Sequence, residues 1–252
     1  MNLDEITPLL LTYNEEANLD ETLSSLSWAK QIIIVDSGST DGTLAIAKQV
    51  PQATVFYRKF DHFAQQCNYG LSKVDTNWTL SLDADYKCPP QFVTELTSLQ
   101  TSAFAGFRAG FIYCVFNRPL KASLYPPRVV LYQTQRARYE RDGHAHRVNI
   151  DGPVGSLNSK LLHDDHKPLD VWFASQIKYA RLEADKLAEQ SRRLSWKDRI
   201  RSKIILAPWL TAIYCLIWRG LWRDGRAGWY YCSQRVLAEL ILSLTLLDKR
   251  LR

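Results

Sequence analysis

The sequence predicts an α/β domain built on a mostly parallel central sheet flanked by helices, followed by a helical C-terminal extension. Three observations carry that expectation. Apolar, β-branched runs alternate with stretches of helical periodicity through the first hundred residues. Each run stops at a polar loop, and the fourth stops at two carboxylates one residue apart, Asp83 and Asp85. Strands that alternate with helices need right-handed crossovers, which bring their carboxyl ends to one edge.

Ile6 to Leu11 is the first strand, followed by polar Thr12, Tyr13, Asn14, Glu15 and Glu16, then by Leu19, Leu23 and Leu26 at helical spacing. Gln31 to Val35 is fully apolar after its first residue, as in a strand covered on both faces, and it ends at a loop from Asp36 to Thr43. Gly38 and Gly42 in that loop let backbone approach a ligand, and Asp36 sits where nucleotide sites form in open α/β sheets. Asp41 is expected to cap the helix from Leu44 to Gln49, and Asp36 to contact ligand. A third strand, Thr54 to Tyr57, precedes a helix from Phe63 to Leu71. The fourth, Trp78 to Leu82, delivers Asp83 and Asp85 to the edge where Asn14 and Asp36 are expected. Two ionised carboxylates so close repel each other unless a cation or other donors compensate them. Hard oxygen ligands suit Mg²⁺ or Mn²⁺, which share themselves with substrate phosphates. A surface turn is the ordinary alternative for an isolated Asp-x-Asp.

Three ordered motifs, Thr12 to Glu16, Val35 to Gly42 and Leu82 to Asp85, resemble the nucleotide-sugar domain of family-2 glycosyltransferases of the GT-A fold. The resemblance covers roughly residues 5–190 and is narrower toward short bacterial lipopolysaccharide-core glucosyltransferases. It implies a donor site of Thr12, Tyr13, Asn14, Glu15, Asp36, Ser37, Asp83 and Ala84, with Asp36 on the nucleoside. It also implies that Asp83 and Asp85 hold the ribose-diphosphate end of a nucleotide sugar, a UDP-sugar first, through a divalent metal. Arg128, after Pro126 and Pro127, resembles a family arginine that faces the diphosphate. His163 matches a histidine common in similar sequences and joins the expected metal set. A dinucleotide-binding dehydrogenase, the competing α/β reading, lacks the Gly-x-Gly-x-x-Gly that opens its first helix.

An inverting transfer needs a base for the acceptor hydroxyl. Related short members carry a His-Glu pair where this chain has His144 and Ala145. The departure leaves Asp142, His144 and His146 as candidates, with Asp142 favoured because the family uses a carboxylate, and His144 beside it. From Phe104 to Tyr139 the chain is aromatic and strand-like, as expected of an acceptor side.

The 252 residues suffice for one core plus an appendage, expected as a catalytic domain over 1–167 and a helical extension over 168–252. Five cysteines without a Cys-x-x-Cys indicate neither zinc nor a disulfide framework and fit a reducing compartment. No basic segment precedes a long apolar one at the N-terminus, so no secretory signal is expected. The net charge of +6 concentrates between Arg192 and Arg226, where nine Lys and Arg face two Asp. Inside that cluster Ile204 to Trp218 is uncharged but too short to span a bilayer, and five of the eight tryptophans fall between Trp196 and Trp229. After a turn at Arg223 to Gly228, Val236, Leu237, Leu240, Ile241, Leu244 and Leu247 share a helix side. The expectation is a helical hairpin lying in a membrane interface, with packing on the catalytic domain or on a second subunit of a homo-oligomer as the alternative. A long helix from Leu169 to Leu194 is expected to use Trp172, Phe173, Gln176, Tyr179 and Ala180 against the catalytic domain. Nucleic acid is not expected, because no binding motif accompanies the charge.

The function expected is metal-dependent inverting transfer of a sugar to a lipid-linked or lipopolysaccharide-core acceptor, by a cytoplasmic enzyme peripheral to the cytosolic face of the inner membrane. A polyprenyl-phosphate sugar synthase would need no strong base, which Ala145 keeps open. A non-catalytic nucleotide-sugar-binding protein is the reading from another class.

Overall fold

The computed structural model describes residues 1–101, 103–122, 124–142, 145–189 and 206–251; of 141–142, 145–147, 186 and 188–189 it describes the backbone alone. The chain divides into two units, residues 1–117 with 125–166, and 118–124 with 167–252.

The first unit begins with four parallel strands: β1 (Ile6–Thr12), β2 (Ile32–Asp36), β3 (Ala53–Tyr57) and β4 (Trp78–Asp83). They alternate with α1 (Leu19–Ser24), α2 (Thr43–Lys48) and α3 (Phe63–Leu71). Every residue of β2 is buried, and its alternation feeds two cores. Ile32 and Ile34 join Leu10, Leu19, Leu23 and Leu26 on the side of α1, while Ile33 and Val35 join Leu9, Cys67 and Leu71 on the side of α3. Each such aliphatic side chain contributes roughly 1.5–3 kcal/mol on full burial. Gly70 lets α3 lie close to β1, for a Cβ there would stand 2.5 Å from Leu9 Cδ1.

The chain continues through β5 (Tyr86–Lys87), α4 (Pro90–Ser98), β6 (Gly106–Val115), β7 (Arg118–Pro119, in the second unit), β8 (Arg128–Gln133), β9 (Ala137–Asp142), β10 (Ala145–Ile150) and β11 (Val154–His163). The sheet runs β3-β2-β1-β4-β8-β6-β11-β5 and is parallel as far as β4. Antiparallel β8 then divides that half from the parallel β6–β11 pair. Register puts Thr12 opposite Asp36, and Leu11 opposite Asp83, so the carboxyl ends of β1, β2 and β4 share one edge. β5 pairs with the end of β11 and sets Tyr86 opposite His163. β9 and β10 form a separate hairpin against α3. Asn68 fixes it as a strand would, donating to Tyr139 O at 2.9 Å and accepting from Tyr139 N at 2.9 Å.

The second unit contains α5 (Leu169–Glu189), α6 (Leu206–Ile213) and α7 (Gly225–Leu251). The expected face of α5 is buried at Ala180 but not at Phe173 or Tyr179. The helix packs through Ala180, Ala184 and Leu187 against Leu242 and Leu246 of α7, whereas Phe173 and Tyr179 stay more than a third exposed. The small side chains let two helices approach closely, which the larger ones would prevent. The expected turn at 223–228 also shifts. The chain turns between Gly220 and Gly225, both at positive φ, and Gly228 lies inside α7, where a Cβ would collide with Leu221 O at 1.9 Å. The sixteen residues 190–205, with Trp196 and much of the basic cluster, lie outside the described residues.

Candidate active site

Two loops are laced together at the carboxyl edge. Asp36 Oδ2 accepts from Thr12 Oγ1 (2.8 Å) and Ser39 Oγ (2.5 Å), and Oδ1 accepts from the backbone N–H of Gly38 (2.8 Å) and Ser39 (2.9 Å). Burial works to raise its pKa, and those four hydrogen bonds outweigh it and hold the carboxyl below the ordinary value. Asn14, at φ 54°, donates its backbone N–H to Ser39 Oγ and accepts from Thr40 N. Glu15 N donates to Thr43 Oγ1, and Gly42 N donates to Glu16 Oε2. Asp41, the expected cap, accepts from Thr43 N at 3.0 Å and from Glu16 N at 3.2 Å, so it ties the start of α2 to the first loop. Ser37 Oγ accepts from Gln66 Nε2 at 2.8 Å.

Asp36 therefore stands at the expected edge, but it is 1% exposed and its oxygens are fully engaged. It shapes the loops from within. Tyr13, by contrast, is 59% exposed beside them. Ala84, expected with the donor set, belongs to the core on the other side: its side chain is buried and its carbonyl accepts from Thr22 Oγ1 at 2.7 Å. It lies between its two acidic neighbours in the turn from β4 to β5, with its side chain in the core.

The acids meet their partners beyond β4. His163 Nε2 lies 3.1 Å from Asp85 Oδ2, and Arg128 lies 3.9 Å from Asp83 Oδ2. The imidazole is enclosed by Tyr86, Tyr113 and Tyr125, with ring centroids 4.6–5.0 Å away. Burial works to lower the His163 pKa, but Asp85, then Asp83 and Asp165, prevail and raise it. Arg128 stacks on Tyr125 at 4.5 Å, and Tyr125 hydroxyl meets Tyr86 hydroxyl at 2.7 Å. Asp85 Oδ1 is buried without a hydrogen-bond partner, a costly state for a carboxylate oxygen, and one that a divalent cation would relieve. Asp85 and His163 thus offer two adjacent ligand atoms to a hard or borderline metal ion, although those of Asp83, Asp85 and His163 do not all lie within 4.8 Å of one another.

A second group, Glu21, Asp164 and His166, offers ligand atoms within 4.8 Å of one another. Lys87 already supplies positive charge there, paired with Glu21 and with Asp164 at 3.2 Å. This group joins β11 to the first loop: Asn18 Oδ1 accepts from His166 N, and Asn18 Nδ2 donates to Asp165 Oδ1. Asn18, Lys87, Tyr86, Tyr113 and Tyr125 were not singled out by motif. Tyr86 next to Asp85, and Tyr125 ahead of the prolines, are signals visible only once β5 and β8 are placed. Of the base candidates, Asp142 and His146 are described by backbone alone, ending β9 and near the start of β10, and His144 lies outside the described residues.

The two laced loops, two acids, a histidine and an arginine gather at the carboxyl ends of parallel strands, where open α/β sheets bind their ligands. The chain belongs to glycosyl transferase family 2, whose description matches residues 9–150. It is an enzyme that transfers glycosyl groups. It is 27% identical over 239 residues to the lipopolysaccharide core biosynthesis glycosyltransferase LpsC of Rhizobium meliloti, covering 88% of this chain and 84% of that protein. An uncharacterized glycosyltransferase of Rickettsia felis is 30% identical over 95 residues, 37% of this chain and 33% of that one. Among solved structures, the mannosyltransferase PcManGT of Pyrobaculum calidifontis, in complex with GDP-Man and Mn²⁺, aligns with a TM-score of 0.54 at 14% identity, covering 98% of this chain and 87% of that one. Glucosyl-3-phosphoglycerate synthase of Mycobacterium tuberculosis aligns with 0.52 at 17% identity over 75% and 81%. The fold is GT-A.

Proposed function

We propose that this enzyme is an inverting glycosyltransferase that carries a sugar from a nucleotide diphosphate, a UDP-sugar first, to a lipid-linked or lipopolysaccharide-core acceptor. The observation that carries the reading is the meeting of Asp83, Asp85, His163 and Arg128 at one end of the sheet. Asp83, Asp85 and His163 would hold Mg²⁺ or Mn²⁺. When bound, that ion supplies positive charge to the departing diphosphate. Arg128, held by Tyr125, lends a second charge, and the loops fixed by Asp36 present Tyr13 and backbone to the nucleoside. Asp142 takes the acceptor proton, with His144 beside it. The likeness to LpsC supports the lipopolysaccharide acceptor. Ala145, in place of the family glutamate, favours a polyprenyl phosphate as second choice, because that acceptor is already ionised.

The enzyme works at the cytosolic membrane face through its second unit. Trp209, Ile217 and Trp218 are each at least 72% exposed, an apolar surface that calls for an apolar neighbour. No helix among the described residues is long and apolar enough to cross a membrane, so the reading is a peripheral one. Replacing Asp85 with Ala is expected to lower sugar transfer at least about 100-fold while leaving the melting temperature near that of the parent. Undiminished turnover in that variant would rule the site out.

A further inference from the structure

On the far side of β4 from the laced loops, the sheet opens under the β9–β10 hairpin into a cavity of about 650 Å³. Its wall includes Ser81, Asp83, Arg108, Arg128, Tyr139 and Asn149. That volume suits a small ligand, and it has a predominantly positive charge: two arginines against one aspartate. Arg128 is accounted for by Asp83 and Tyr125. Arg108 is exposed and, among the described residues, makes no hydrogen bond or ion pair.

Its position is set by a bulge. Phe107 pairs with Leu131, but Arg108 pairs with Val129, so Val130 is the extra residue on β8. Arg108 thereby stands opposite Val129, which packs on the cluster of Leu9, Tyr132 and Tyr139. A guanidinium beside an apolar wall, with no acid to neutralise it, is a fork matched to a carboxylate or phosphate. Sugar transfer requires the incoming hydroxyl within about 3–3.5 Å of the reacting carbon. The donor loops extend from β1 and β2 on one side of β4, so the free space bordering Asp83 toward β8 and β6 falls to the acceptor.

We infer that this cavity is the acceptor subsite and that Arg108 reads an anionic group, carboxylate or phosphate, on the acceptor sugar; the assignment to an acceptor rests on the glycosyl-transfer reading above. Binding of glucose 6-phosphate, glucuronate and glucose, measured by calorimetry on the full chain with UDP and Mn²⁺ added separately, tests it. At least one charged sugar is expected to bind at least tenfold more tightly than glucose, and the stronger of the two names the anion. Arg108→Gln should abolish that preference while keeping the parent's melting temperature and UDP affinity. The charged sugar should also bind without displacing UDP. Equal binding of all three sugars, an unchanged preference in Arg108→Gln, or displacement of UDP would each overturn the assignment, the last by moving Arg108 to the donor diphosphate. Asp85→Ala should keep the charged-sugar preference. A parent enzyme that prefers the charged sugar but ignores UDP with Mn²⁺ would remove the donor reading and leave the anion pocket standing.

Discussion

The two units invert the usual rule of burial in opposite ways. In the first, a carboxylate is placed at 1% exposure and made comfortable there by four hydrogen bonds, so that two loops hold one shape before any ligand arrives. In the second, tryptophans and aliphatic side chains stand outward on α6 and on the helical segment Tyr214–Trp218 that continues it, with Trp218 at 82% exposure. The contrast teaches what each surface lacks. The carboxyl edge has the buried carboxylate of its loops satisfied and keeps a few charges for a ligand, Asp83, Asp85 and Arg128 among them, with Asp85 Oδ1 still without a hydrogen-bond partner. The outer face of the second unit has its hydrophobic groups unsatisfied and needs a partner of low polarity.

The largest effect should break the second half of the comparison. Replacing Trp209, Trp218 and Trp222 together with Ala removes three outward rings and should reduce sedimentation with vesicles containing anionic lipid by tenfold or more, with the helical content retained. Unchanged sedimentation would assign those rings to another protein surface. In the first unit, Asp36→Asn places an amide among groups that all donate, and should cost about 3 kcal/mol in urea unfolding. A change below about 0.5 kcal/mol would mean that the loops are not held by this charge.

Gly70→Ala should cost roughly 1–3 kcal/mol, because the added methyl meets Leu9 Cδ1 and Val35 Cγ2 at 2.5 and 3.2 Å. A stability equal to the parent's would show that α3 can move off the sheet freely. The smallest effect concerns acid. The Asp36 pKa is lowered from the ordinary 3.8, so its ionisation adds stability above that value, and the contribution is lost as pH falls through the lower folded value. Asp36→Asn should therefore flatten the fall in stability below about pH 4, and an identical acid profile in the two proteins would contradict the assigned charge.

Regular patterning made much of the first unit legible in the sequence. The uniform apolarity of Ile32 to Val35 announced a strand covered on both faces, and the periodicity of Phe63 to Leu71 fell on α3 with the same bounds. The acids Asp83 and Asp85 were legible because charge at the end of an apolar run is expensive without a partner. The partners themselves were less so. Arg128, Tyr125 and His163 come from segments 40 or more residues away, and no local period reveals that β5 turns back along β11. That the Ala84 side chain joins the core was not legible, because a motif is contiguous while neighbouring side chains can face opposite sides. Arg108 escaped notice for a related reason, since a bulge at Val130 decides which residues it faces. In the second unit, the apolar helices were visible in outline, whereas the turn begins at Gly220 and closes at Gly225, earlier than the expected stretch from Arg223 to Gly228.

The central claim is that Asp85 helps hold a cation that secures the nucleotide diphosphate. It is tested most directly by titrating UDP into the parent enzyme and into Asp85→Ala, each with and without Mn²⁺. The parent should bind UDP at least tenfold more tightly with the ion than without it, and the variant should show no such gain. Equal Mn²⁺ dependence in both proteins, or none in the parent, would contradict the account.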